Sequence, residues 1–147
     1  MGIYAQNLTG GTTLMPGADT IVTAYARAGV KIGVVTNKPE IFSRAIVDHF
    51  GLASSVHVIV GGDTGPARKP APDMLLHALD RLGVGKHRAL MIGDSPADID
   101  AAKAAPMPSI AVRGGYTNIP VEELGADVVI DSLNEVPQAI EKLKEPV

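Results

Sequence analysis

Two carboxylates stand four residues apart in Gly93-Asp94-Ser95-Pro96-Ala97-Asp98, directly after the apolar run Ala89-Leu90-Met91-Ile92. A carboxylate that ends an apolar strand risks desolvation unless a positive group meets it. The pair suits a divalent cation and a phosphate better than a core, because Mg2+ takes one or two carboxylates together with water and phosphate oxygens. Ser95-Pro96-Ala97-Asp98 also reads as a capping box with proline at the first helical position, so Asp98 taken alone is more readily a cap than a ligand. Three further polar groups follow apolar or glycine-rich stretches. Thr36 and Asn37 come after Gly33-Val34-Val35, and Lys69 separates the loop of residues 61–68 from Pro70-Ala71-Pro72-Asp73. Each has a plain structural use: Asn37 is a good helix cap before Pro39 and Glu40, Thr36 can satisfy backbone groups, and a lysine beside prolines is commonly solvated.

The elements that must position these groups are legible from pattern. Short β-rich apolar runs alternate with helical stretches, the mark of a parallel α/β architecture. The runs predict strands at Lys31–Thr36, Val56–Val60, Ala89–Gly93, Ser109–Val112 and Asp127–Ile130, with little alternation, as in strands covered on both faces. Helices are expected over Ala18–Ala28, Pro39–Phe50, Pro72–Leu82, Ala97–Ala105 and Glu135–Leu143. Gly29, Gly51 and Gly83 sit where left-handed C-caps are wanted, and Pro39, Pro72 and Pro96 sit near helix starts. In such sheets ligands bind beyond the carboxyl ends of the strands, where all five candidate groups fall.

Composition narrows the function classes. With 147 residues, 46% hydrophobic and 20% charged, the chain fits one globular domain. A net charge of −3 without a Lys/Arg run offers no footprint for nucleic acid or an anionic membrane. There is no cysteine for disulfides or thiolate-bound zinc, and no apolar stretch near the ~20 residues that span a bilayer. The N-terminus lacks the basic and apolar regions of a signal peptide, so a cytoplasmic location is the expectation.

Taken in order, the motifs resemble the haloacid dehalogenase (HAD) superfamily of phosphohydrolases, and its phosphoglycolate phosphatase-like branch in particular. The likeness rests on Val34-Val35-Thr36-Asn37-Lys38-Pro39, Val60-Gly61-Gly62-Asp63-Thr64, Arg68-Lys69-Pro70-Ala71-Pro72-Asp73, Met91 to Ile99, and the tail Ala126 to Leu133. It implies a Rossmann-like, HAD-type parallel sheet with helices on both faces, and a small phosphorylated metabolite as substrate. It also implies roles: Thr36, Lys69 and Asp94 as catalytic residues, Thr36, Asn37 and Lys69 as phosphate-binding residues, and Asp94 and Asp98 at a Mg2+ site. There Thr36 and the neighbouring amide would bond the phosphoryl group and Lys69 would neutralise it. Asp94 would ligate the metal, and Asp98 would orient that site from behind or through water.

The family's reaction runs through an aspartyl-phosphate on the first Asp of an N-terminal Asp-x-Asp-Gly-Thr motif. This sequence lacks that motif, and most of the helical cap that would follow it. Residues 1–13 are therefore expected to be a remnant of cap and linker, and residues 14–147 an incomplete HAD-like core. The missing strand would lie centrally, between the Thr36 and Asp94 strands, leaving unpaired N–H and C=O groups. Three repairs are open: direct pairing of the half-sheets, occupation by Ile3–Leu8, or a strand from another chain, whether a copy or a separate subunit. Ile3–Leu8 is a poor β sequence and is the least expected. The implied function is a Mg2+-dependent phosphomonoester hydrolase by descent, truncated and with little or no independent activity. The alternatives are a non-catalytic phosphate- and Mg2+-binding module, or a subunit of an assembly that completes the sheet. Pro106 is a further departure, standing where the family commonly has glycine, so that its helix is expected to end differently.

Overall fold

The expected runs of Val, Ile, Leu and Ala fold into one parallel sheet. In the computed structural model, which describes residues 2–5, 9–10, 13–14, 18–65, 67–113 and 120–144, the elements from Ala18 onward follow the predicted order, and three short strands precede them. They are β1 (Gly2–Ala5), β2 (Thr9–Gly10), β3 (Thr13–Leu14), α1 (Ala18–Arg27), β4 (Lys31–Val35), α2 (Glu40–His49), β5 (Val58–Val60) and α3 (Asp73–Leu82). After them come β6 (Ala89–Gly93), α4 (Pro96–Ala104), β7 (Ser109–Val112), β8 (Val128–Ile130) and α5 (Val136–Lys144). The main sheet has the order β5-β4-β1-β6-β7-β8 with every neighbouring pair parallel, and β2 and β3 form a separate antiparallel pair.

Helices cover both faces, which is why the strands show no polar alternation. On one face Ile32, Val34, Leu90, Ile92 and Ile110 pack with Val22 of α1, Val47 of α2 and Ile140 of α5. On the other, Val35, Val60 and Met91 pack with Met74 and Leu75 of α3 and Ala101 and Ala102 of α4. Neighbours Val34 and Val35 thus serve opposite layers, as the two-residue period of a strand requires.

The N-terminal segment corrects one expectation. Gly2–Ala5 lies in the middle of the sheet, pairing Gly2 with Lys31 and Ala89, and Ala5 with Val34 and Ile92. The place of the family's first strand is therefore filled from within the chain, by the route composition favoured least. A sheet boundary at residue 14 does not hold, and the described sheet has no gap for a partner's strand. Weak β propensity loses because an empty slot would strand the facing backbone groups of β4 and β6, each costing about 1–3 kcal/mol when buried.

α4 supplies a second correction. Met107 N–H donates to Ala102 O at 2.8 Å, the bond that closes a glycine-type helix stop, and Pro106 takes φ +27°. The helix ends as it would at glycine, with strain on a ring that prefers φ near −65°. Pro106→Gly is expected to raise the unfolding free energy in urea by about 1 kcal/mol, relief of strain exceeding the looser unfolded chain.

Candidate functional site

Thr36, Asn37, Lys69, Asp94 and Asp98 converge beyond the carboxyl ends of β4 and β6. Thr36, Asn37, Lys69, Ser95 and Asp98 border one cleft of about 270 Å³, with Lys38 at its rim. A larger cleft of about 510 Å³ lies at the other end of the sheet, by Ala89 and Leu90 at the start of β6, and no predicted site residue borders it.

The centre of the site is a buried ion pair. Lys69 Nζ lies 2.6 Å from Asp98 Oδ1, and both side chains are 1% exposed. Lys69 Nζ also donates to Val35 O at 3.0 Å. An ammonium has three N–H groups, and among the described residues Asp98 and Val35 take two of them. Burial pulls the Lys69 pKa below its ordinary value; Asp98, by charge and hydrogen bond, and then Asp94 oppose that shift without cancelling it. The cost of burying this cation buys a charge that acts in a medium less polar than water.

Asp98 is a cap and an orienting group at once. Its Oδ2 accepts from Asp94 N at 3.0 Å and Ser95 N at 3.2 Å, while its own N–H donates to Ser95 Oγ at 3.4 Å, completing the capping box of α4. With Oδ1 on Lys69 and Oδ2 on two amides, its oxygens are committed to the protein. Asp94, directly after β6, is the second carboxylate of the site; it is 5% exposed and its charge acts on Lys69. These donors fit Mg2+ held by one carboxylate, with water and phosphate oxygens completing its shell. Among the described residues no three His, Cys, Asp or Glu side chains cluster in a metal-binding group.

Thr36 is 3% exposed and its N–H donates to Val60 O, while its Oγ1 accepts from Lys38 N at 3.1 Å. No group among the described residues accepts the hydroxyl proton. Asn37 departs from its expected part. Its Nδ2 donates to Lys69 O and its Oδ1 accepts from Lys69 N, both at 3.0 Å. The amide clamps the Lys69 backbone to the end of β4 and does not cap α2. Asp63 does the capping, accepting from Glu40 N at 2.8 Å across 23 residues.

Sequence reasoning missed what the glycines do. A Cβ on Gly93 would stand 2.4 Å from Asp98 Cβ and 2.7 Å from its Oδ2. One on Gly62 would stand 2.1 Å from Asn37 O, and one on Gly61 2.4 Å from Glu40 N. The glycine-rich loop is therefore a brace for the start of α2. The signal lay in the words Gly-Gly-Asp and Gly-Asp, but the atoms they approach come from other elements. The end of β1 holds no acid: the first acidic residue of the chain is Asp19, in α1. Gln6–Leu8, which follow β1, lie outside the described residues.

A doubly wound parallel α/β domain with its polar groups gathered beyond the carboxyl ends of neighbouring strands is a Rossmann-like fold. The particular family follows from comparison: residues 3–106 match the haloacid dehalogenase-like hydrolases, and the chain belongs to that family. It is 45% identical over 128 residues to a phosphoglycolate phosphatase of Rhodospirillum rubrum, covering 87% of this chain and 53% of the relative. An Escherichia coli K12 phosphoglycolate phosphatase is 35% identical over 138 residues, covering 93% and 55%. Among solved structures, a predicted phosphoglycolate phosphatase from Haemophilus somnus 129PT superposes with a TM-score of 0.82 at 28% identity, over 86% of this chain and 57% of that one. CbbY from Rhodobacter sphaeroides, in complex with phosphate, gives 0.76 at 33% identity over 84% and 56%. The chain thus spans about half the length of the curated relatives it matches. Among the described residues no helix is long and apolar enough to cross a membrane.

Proposed function

We propose that this chain carries the phosphoryl-binding and Mg2+-binding side of a phosphomonoester hydrolase of the phosphoglycolate phosphatase type, with little or no hydrolysis of its own. The observation that carries this reading is the buried Lys69 ammonium, held by Asp98 and Val35 O in one small cleft with the Thr36 hydroxyl. One ammonium N–H and one hydroxyl proton converge on the cleft, the donor set that stabilises a phosphoryl group by charge and position. Bound Mg2+ would supply charge neutralisation on the phosphoryl oxygens, with Asp94 as its protein ligand and Asp98 holding the Asp94 backbone. The silent part of the reading rests on β1, since Gly2–Ala5 carry no aspartate where the family resemblance calls for one. The substrate class is a small phosphorylated metabolite, phosphoglycolate being the one named by the relatives, and the expected setting is the cytoplasm.

Two measurements on the same preparation test this. Calorimetry with inorganic phosphate and Mg2+ is expected to show binding in the millimolar range, reduced by Asp94→Asn only when Mg2+ is present. Micromolar protein with phosphoglycolate and Mg2+ is expected to release no phosphate above background. Turnover that Lys69→Ala abolishes would reveal a nucleophile and overturn the silent reading; absence of heat at millimolar ligand would overturn binding itself.

A further inference from the structure

The cleft holds two cations of different standing. Lys69 is committed to Asp98, whereas Lys38, exposed at the rim, has no ion-pair partner among the described residues. Its backbone is nevertheless fixed on both sides: the N–H donates to Thr36 Oγ1 at 3.1 Å and the carbonyl accepts from Gly62 N at 2.8 Å. The tight fit of Gly62 against Asn37 O holds that carbonyl's donor in place. A flexible four-carbon stem thus starts from an anchored root, two residues beyond the Thr36 hydroxyl of the same cleft. Lys38 can reach past a bound phosphate to what the phosphate is attached to.

From this juxtaposition of an uncommitted rim cation and a committed inner one, we infer that Lys38 is a specificity-determining residue. It meets a second anionic group, such as a carboxylate, on the substrate, and the site favours short phosphomonoesters that carry a negative charge beyond the phosphate. Neutral esters leave the Lys38 ammonium solvated and gain nothing from it. The inference rests on the phosphoryl-binding reading above and refines its substrate class.

The test compares ligands that differ in one group. Phosphoglycolate and ethyl phosphate share a two-carbon ester, and only the first bears a carboxylate. Their dissociation constants are measured by calorimetry, beside that of inorganic phosphate. The native protein is expected to favour phosphoglycolate roughly threefold to fivefold, the scale of one solvent-exposed ion pair. Lys38→Met is expected to bring that ratio close to one, and Lys38→Arg to keep it. Lys31→Met, which removes an exposed cation at the opposite end of β4, is expected to leave the ratio as it was, separating a local contact from a change in net charge. An unchanged ratio in Lys38→Met, or no preference in the native protein, overturns the inference while leaving phosphate binding intact. Failure of all three ligands to bind overturns the underlying reading and this one with it.

Discussion

Lys69→Met is expected to lower the unfolding free energy by about 3 kcal/mol and to abolish phosphate binding. The loss arises on the partner left behind. Removing one member of a buried pair commonly costs about 3–5 kcal/mol because the other charge stays in a poorly solvated place. Here Asp98 keeps two backbone donors, Asp94 N and Ser95 N, which puts the cost at the low end. Adding Asp98→Asn is expected to restore much of the stability, since the amide oxygen can still accept from both backbone groups while the orphaned charge is gone. It should not restore binding, because the ammonium is absent. Urea denaturation and phosphate calorimetry on the two variants check both halves, and an unchanged urea midpoint in Lys69→Met would refute the buried pair.

The same lysine sets a pH dependence. Burial places its folded pKa below that of the unfolded chain. Between the two values the unfolded chain holds the extra proton, so stability rises with pH across that window, and below it the full burial penalty stands. Binding runs the other way: phosphate affinity is expected to fall as pH climbs through the folded value, before an ordinary surface lysine would titrate. Lys69→Met should show neither trend.

Gly93→Ala is expected to cost about 1–3 kcal/mol, the usual scale for overpacking a filled interior, and to remove phosphate binding although no charge is altered. Conformation is not the obstacle, for Gly93 is absent from the positive-φ residues. Space is: the new methyl would sit 2.4 Å from Asp98 Cβ, which is the root of that side chain rather than a movable tip. The start of α4 has to retreat, taking Asp98 from the amides of Asp94 and Ser95 and from Lys69. Calorimetry should find the loss of binding together with the loss of stability. Retention of phosphate affinity would show that Asp98 does not need its present place.

These effects divide by how far apart in the chain their causes lie. The strands Ala89–Gly93 and Ser109–Val112 stand where their apolar runs predict them. Gly83 caps α3 in the left-handed region, φ 68°, as its position after a helical pattern implies. The capping box of Ser95 and Asp98 was also legible, because both partners lie within one helical turn. Asn37 was not: its partners are the backbone groups of Lys69, 32 residues away. A local reading makes it a helix cap, whereas the fold makes it a clamp. Gly2–Ala5 was misjudged for a related reason. Its composition is poor for a strand, and only the waiting edges of β4 and β6 give that segment its place.

By itself the sequence determined the alternating α/β pattern, the family, the identity of the strand-end groups Thr36, Lys69, Asp94 and Asp98, and the lack of an acid before Asp19. These follow from periodicity and short-range chemistry, which act within a turn or a strand. Tertiary structure alone decided that Asp98 gives one oxygen to Lys69 and the other to two amides, that Asn37 clamps the Lys69 backbone, that Gly93 is an atom's width of necessary space, and that the sheet closes on Gly2–Ala5. Each of these depends on which distant atoms come within hydrogen-bonding or van der Waals reach, and those distances exist only once the strands lie side by side.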